Sequence, residues 1–167
     1  MTRFRIERLS KQYDRSTFSS GSPPLDSYFQ RQVSQDARRR VLRCFVAVEN
    51  DTEQITGFYT LSALSIRLDS LPEERQREVP RYPLIPAALI GRLAIDESYQ
   101  GQGLGGVLLA DAFLRVSKAD VGVYAMLVDA KDEAAESFYQ RFGFERFKGK
   151  ERKLYLPIAT ALKLIGN

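Results

Sequence analysis

The segment Gln100-Gly101-Gln102-Gly103-Leu104-Gly105-Gly106 has the residue types and spacing best suited to chemistry. Glycines at this density let a ligand approach the backbone and permit left-handed φ angles, and successive amide N–H groups ahead of a helix form an anion site. A phosphate or pyrophosphate is the natural guest. No Gly-Lys-Ser/Thr follows, which excludes a Walker loop. Gly101, Gly103 and Gly106 do satisfy the dinucleotide pattern G-x-G-x-x-G. Against that reading, Asp96-Glu97-Ser98-Tyr99 separates the preceding apolar run from the turn, and the roughly sixty residues that follow are too few for the strand–helix units such a fold still needs. The same string also reads Gln100-x-x-Gly103-x-Gly105, and a tight turn without a ligand is the bland alternative.

A second string, Phe138-Tyr139-Gln140-Arg141-Phe142-Gly143-Phe144, begins about 35 residues after Gly103. Aromatics at helical spacing closed by a glycine C-cap account for Phe142 and Gly143, which leaves Tyr139 as the residue that needs a functional explanation. The chain has no histidine, which removes the commonest general base and excludes His-dependent triads and most zinc chemistry. No metal is implied. Cys44 is the single cysteine, and its apolar run Cys-Phe-Val-Ala-Val favours a buried thiol over a nucleophile or a disulfide.

The elements that must position these groups are legible from periodicity. A strand is predicted at Phe4 to Leu9, and a helix beginning at Ser22-Pro23-Pro24 carries Leu25, Tyr28, Phe29, Val33 and Ala37 at helical spacing as far as Arg38-Arg39-Arg40. Two β-rich runs, Val41 to Glu49 and Gln54 to Ile66, flank Asn50-Asp51-Thr52-Glu53 as a hairpin. Residues 67–83 are charged and hold three prolines, so a loop with one short helix at Glu73 to Val79 is expected. Then come a strand at Leu84 to Ile95, a helix at Leu104 to Lys118, a buried strand at Val121 to Ala130 and a helix at Glu133 to Phe142. This is a β-α-β-α pattern around a parallel pair. A hairpin of Phe144 to Lys148 with Lys153 to Leu156, and a helix at Ile158 to Ile165, close the chain.

At 167 residues, with 44% hydrophobic residues, 10 Phe and 8 Tyr, the chain has the apolar surface for one domain over 1–167, and no internal linker divides it. The N-terminus lacks a signal-peptide core and no stretch approaches the ~20 apolar residues of a membrane span, so a cytoplasmic protein is expected. The formal net charge is +4, unevenly spread. Arg31, Arg38, Arg39, Arg40 and Arg43 face Asp36 alone, and Arg141, Arg146, Lys148, Lys150, Arg152 and Lys153 face Glu145 and Glu151. These are either two solvated faces or a surface for a polyanion.

The Gln100-x-x-Gly103-x-Gly105 string resembles the coenzyme A pyrophosphate signature of GNAT acetyltransferases, and Phe138-Tyr139 through Gly143-Phe144 resembles the family's Phe-Tyr-x-x-x-Gly-Phe helix end. The resemblance narrows further through Phe18-x-Ser20-Gly21-x-x-x-Leu25-Asp26-x-Tyr28, Gly57-Phe58-Tyr59-Thr60-Leu61, Pro80-Arg81-Tyr82-Pro83 and Gly91-Arg92-Leu93-Ala94. These are similar to the GNAT toxins of bacterial type II toxin–antitoxin systems, over about residues 5 to 157. Ser20 stands where many such proteins carry cysteine. The resemblance implies an α/β (α+β) GNAT fold: a mixed central sheet of about six to seven strands, helices on both faces and a splayed parallel strand pair. It also implies acetyl-CoA as cosubstrate, aminoacyl-tRNA as acceptor, a homodimer and a ribbon-helix-helix antitoxin as partner.

By that resemblance, Leu93, Ala94, Ile95, Gln100, Gly101, Gln102, Gly103, Leu104, Gly105, Gly106 and Phe138 hold the cofactor, and Tyr139 donates a proton to the departing thiolate. Arg38, Arg39, Arg40 and Arg92 are the candidate tRNA contacts. The basic segments suit a phosphate backbone. Two other readings stay open at this point: an enzyme acetylating a small amine or a protein N-terminus, and a catalytically silent RNA- or protein-binding module.

Overall fold

The computed structural model describes residues 3–166. Their strands form one seven-stranded mixed sheet in the order β1-β2-β3-β4-β5-β7-β6, with β4 and β5 as a parallel pair. The chain divides into two compact units, Met1–Ser62 with Gly91–Ala112, and Ala63–Ile90 with Phe113–Asn167.

In the first unit, β1 (Phe4–Arg8) pairs antiparallel with β2 (Arg43–Glu49), and β2 pairs antiparallel with β3 (Ile55–Arg67), as the hairpin pattern requires. The expected single helix is instead two, α1 (Pro23–Arg31) and α2 (Val33–Arg38), interrupted at Gln32 with φ −114° and ψ −34°. Phe29 and Val33, on either side of the break, are both fully buried. The apolar spacing therefore reported the buried face correctly, while the regular helix along it is interrupted at Gln32. Phe29 stacks on Phe58 with ring centroids 4.1 Å apart, and Phe18 packs edge-on against both rings.

Gly57 marks a close approach in this unit. A Cβ there would stand 2.9 Å from Ile95 Cδ1 and 3.1 Å from the Ala94 carbonyl oxygen. A larger residue at this approach of β3 to the end of β4 (Leu84–Ile95) would need the Ile95 side chain and the Ala94 carbonyl to give way.

In the second unit, the parallel ladder joins Ala87–Ile90 to Ala125–Val128, while β4 itself continues to Ile95. β5 (Ala125–Asp129) starts four residues later than the apolar run suggested. Val121 is exposed and Gly122 follows it, and that stretch is irregular backbone before the strand. β7 (Lys153–Pro157) pairs antiparallel with β5 and with the short β6 (Glu145–Arg146), the expected closing hairpin. Residues 68–83 are a structured loop: the Leu68 amide donates to the Pro83 carbonyl at 3.0 Å, Leu71 is fully buried, Leu68–Ser70 forms a 3-10 turn, and the α-helix is confined to Glu73–Gln76 (α3). The helices α4 (Leu104–Ser117), α5 (Glu133–Arg141) and α6 (Ile158–Ile165) agree with the periodicity to within one residue at either end. Among the described residues no helix is long and apolar enough to cross a membrane.

Candidate active site

The glycine loop leaves β4 through a 3-10 turn at Glu97–Tyr99 and enters α4 at Leu104. Gly101 and Gly103 have φ of +80° and +81°, a left-handed backbone that L side chains rarely adopt, and a Cβ at either would meet no atom within 4 Å. The glycines are therefore required by the turn itself and leave open space beside the backbone. Gln100 closes the loop from inside, its Nε2 donating to the Ser20 and Ile95 carbonyls, each at 2.9 Å. Leu104 is buried and anchors α4, a 14-residue helix with no acidic residue in its first turn, so nothing there neutralises the positive end of its dipole. Gly105 and Gly106 lie within that first turn. The loop suits a phosphate on backbone grounds alone.

Leu93, Ala94 and Ile95 form the end of β4 leading into this loop, with Ala94 buried and the other two half-buried. The Arg92 amide donates to the Thr60 hydroxyl at 3.1 Å, and the Asp96 amide to the Thr56 carbonyl at 2.8 Å. The Arg92 side chain stacks on the Tyr28 ring, whose hydroxyl donates to Asp36 at 2.7 Å. Burial, then the Asp36 hydrogen bond, push the Tyr28 phenol above its ordinary range. Ser20, the departure from the family pattern, donates its hydroxyl to Asp26 at 2.7 Å and so ties the approach to α1.

Arg38 ends α2, with Arg39 and Arg40 exposed after it and Arg40 held at φ +64°. Arg38 lines a groove of about 260 Å³ together with Arg8, Lys11 and Arg43, and with Ser10 and Ser34. No carboxylate lines the groove, and among the described residues Arg8, Lys11 and Arg38 make no ion pair. Arg8 and Lys11 escaped the sequence reading, because only the β1–β2 pairing, which sets Arg8 opposite Phe45, brings them to α2. Cys44 lies at the bottom of that pairing; it is buried, and desolvation pushes its thiol up to about 12, as expected of an inert cysteine.

Tyr139 belongs to the second unit. Its helix α5 is N-capped by Asp132, whose carboxylate accepts from the Ala135 amide at 2.8 Å. It is terminated by Phe142 and by Gly143 at φ +101°, the expected glycine C-cap. Glu136, one turn before Tyr139, is buried and accepts from the Arg146 guanidinium and, at 3.0 Å, from the Arg152 amide. Arg146, counted among the basic residues of the second segment, is exposed but paired with Glu136. Tyr139 packs edge-on against Phe138 and Phe144, with centroids 5.2 Å and 5.4 Å away. It is 8% exposed, and burial pushes its phenol up to about 12. Its hydroxyl has no hydrogen-bond partner among the described residues. A neutral phenol with a free proton can donate, and at this pKa it is a poor base.

Known proteins resemble this chain in sequence and in fold. A model of the acetyltransferase (GNAT) domain matches residues 41–146. A tRNA-acetylating toxin of Mycobacterium tuberculosis is 36% identical over 96% of this chain and 95% of its own length. AtaT solved in complex with acetyl-methionyl-tRNAfMet superposes with a TM-score of 0.89 at 32% identity, covering 98% of this chain and 99% of that one. A tyrosine-to-phenylalanine mutant of the AtaT toxin, solved with acetyl-CoA and the C-terminus of the antitoxin AtaR, superposes with a TM-score of 0.83 at 29% identity, covering 99% of this chain and 100% of that one.

Proposed function

The chain belongs to the GNAT acetyltransferase family, and from that premise we propose that it moves an acetyl group from acetyl-CoA to the α-amine of aminoacyl-tRNA. The observation that carries the acceptor is the groove of Arg8, Lys11, Arg38 and Arg43, four cations with no facing carboxylate, which suits a phosphodiester backbone. Arg39, Arg40 and Arg92 are the further candidate contacts for the same backbone.

The cosubstrate supplies an activated thioester carbonyl. The amides of residues 101–106 receive its pyrophosphate at the N-terminus of α4, and the strand Leu93–Ile95 carries the acetyl-pantetheine arm, with Phe138 as a further contact. The Arg92 amide is already engaged by Thr60, so it is not among the backbone donors open to an oxyanion. The acceptor needs little help to become a nucleophile. An α-amine titrates near ~7.7 to 8.0, so roughly a tenth is neutral at pH 7 without a histidine to deprotonate it.

Tyr139 then donates a proton to the leaving sulfur. A phenol at about 12 against a thiol near ~8.5 makes full transfer uphill by about 5 kcal/mol if the thiolate is in water. The desolvation that raises Tyr139 also raises the pKa of a thiolate expelled beside it, which narrows that gap. By the same family reading, the protein acts as a cytoplasmic homodimer held in check by a ribbon-helix-helix antitoxin.

Incubation with labelled acetyl-CoA and total charged tRNA tests the function. Label is expected in the aminoacyl moiety of the RNA. Label confined to small amines or protein N-termini would overturn the acceptor, and no transfer to any amine would overturn the catalysis.

A further inference from the structure

The glycine loop is gripped from outside by an arginine that stands just before β1. Arg3 Nη1 donates to the Gln102 side-chain oxygen at 3.0 Å, at the loop tip between the two left-handed glycines. Its Nε donates to Glu49 at 2.7 Å, and Glu49 also accepts from the Tyr99 hydroxyl at 2.7 Å. The same guanidinium lies 4.8 Å from the centroid of Phe4 and 5.5 Å from that of Tyr99. One planar cation therefore connects the end of β2, the turn entering the loop and the loop tip.

We propose that Arg3 is a positioning residue for the cofactor, a latch that holds Gln102 and with it the glycine loop in its phosphate-receiving shape before acetyl-CoA arrives. The inference rests on the loop being the cofactor site. Glycines surrender more backbone freedom on ordering than other residues, so a loop fixed in advance binds its ligand with less loss. Arginine suits the task where lysine does not. Its fork donates to Glu49 and Gln102 at once while its plane lies against the rings, whereas one ammonium on a flexible stem keeps at most part of this set. A merely structural Arg3 would tie β1 to β2 through Glu49 and leave the loop indifferent.

The test is calorimetric binding of acetyl-CoA to wild type, Arg3→Lys, Arg3→Met, Gln102→Met, the Arg3→Lys/Gln102→Met double variant and Gly103→Asp, with melting and steady-state kinetics on the same preparations. Arg3→Lys, which retains a cation for Glu49, is expected to weaken acetyl-CoA about fivefold and raise its KM, with kcat at saturating cofactor unchanged. In the Gln102→Met background the same change is expected to cost nothing further. Wild-type affinity in Arg3→Lys and Arg3→Met, or losses that multiply in the double variant, would overturn the latch alone. Wild-type affinity in a folded Gly103→Asp protein would instead remove the loop from the cofactor site, and the latch with it.

Discussion

The Arg92 guanidinium carbon lies 3.5 Å from the centroid of the Tyr28 ring. A planar cation this close to an aromatic face gains about 0.5 to 2 kcal/mol from the ring quadrupole, the more so when partly removed from water. Tyr28 is fixed in turn by Asp36, which also accepts from Gln32 Nε2 at 3.1 Å. Side chains of α1 and α2 thus meet a charged side chain of β4. Tyr28→Phe keeps the ring, so we expect turnover on charged tRNA within about twofold of wild type. Arg92→Ala is expected to lower kcat/KM for tRNA about tenfold or more, with acetyl-CoA affinity unchanged. Equal effects of the two variants in steady-state assays would place the function in the Tyr28 hydroxyl instead of the cation.

Charge reversal in the groove tests the polyanion surface. Arg38→Glu and Arg8→Glu are each expected to raise the KM for tRNA and to reduce the salt dependence of binding by about one unit of log–log slope, since each removes a phosphate contact and its released counterion. Acetyl-CoA affinity should not move. Binding measured across a range of salt concentrations decides the matter, and an unchanged slope would assign these cations to solvent.

Tyr139→Phe leaves the ring and its edge-on contacts with Phe138 and Phe144 intact while deleting the proton. The variant should bind acetyl-CoA and melt like wild type, yet turn over about 10²-fold or more slowly in a single-turnover assay with saturating substrates. A variant that melts lower but turns over at the wild-type rate would make Tyr139 a packing residue.

Glu136 gives α5 a pH-dependent tie. The Arg146 hydrogen bond, opposed by burial, holds its carboxyl below the ordinary range. A depressed folded-state pKa contributes stability that is present above the unfolded value of ~4.3 and is lost as pH falls through the folded one. Wild type should therefore lose melting temperature on acidification within that window more steeply than Glu136→Gln, which should be less stable at pH 7. Parallel acid limbs for the two proteins would show that this carboxylate does not govern the helix.

Local pattern in the sequence was sufficient for the order of the elements, the glycine turn and the helix bearing Tyr139. Each depends on neighbours a few residues apart: periodicity assigns a buried face, positive φ demands glycine at 101 and 103, and Gly143 ends α5 where the aromatic stripe stops. The same locality explains the errors. Apolar spacing cannot see a break that preserves the buried face, as between Phe29 and Val33, nor a solvent-facing start such as Val121.

What only the tertiary structure decided is which distant charges meet. Arg8 and Lys11 reach Arg38 through the register of β1 on β2, and Arg3 reaches Gln102 across 99 positions. Arg146, by contrast, has its charge paired by the buried Glu136. A charged residue carries no periodic signature of its partner, since charge acts through distance in space and the chain sets that distance only after strands have paired.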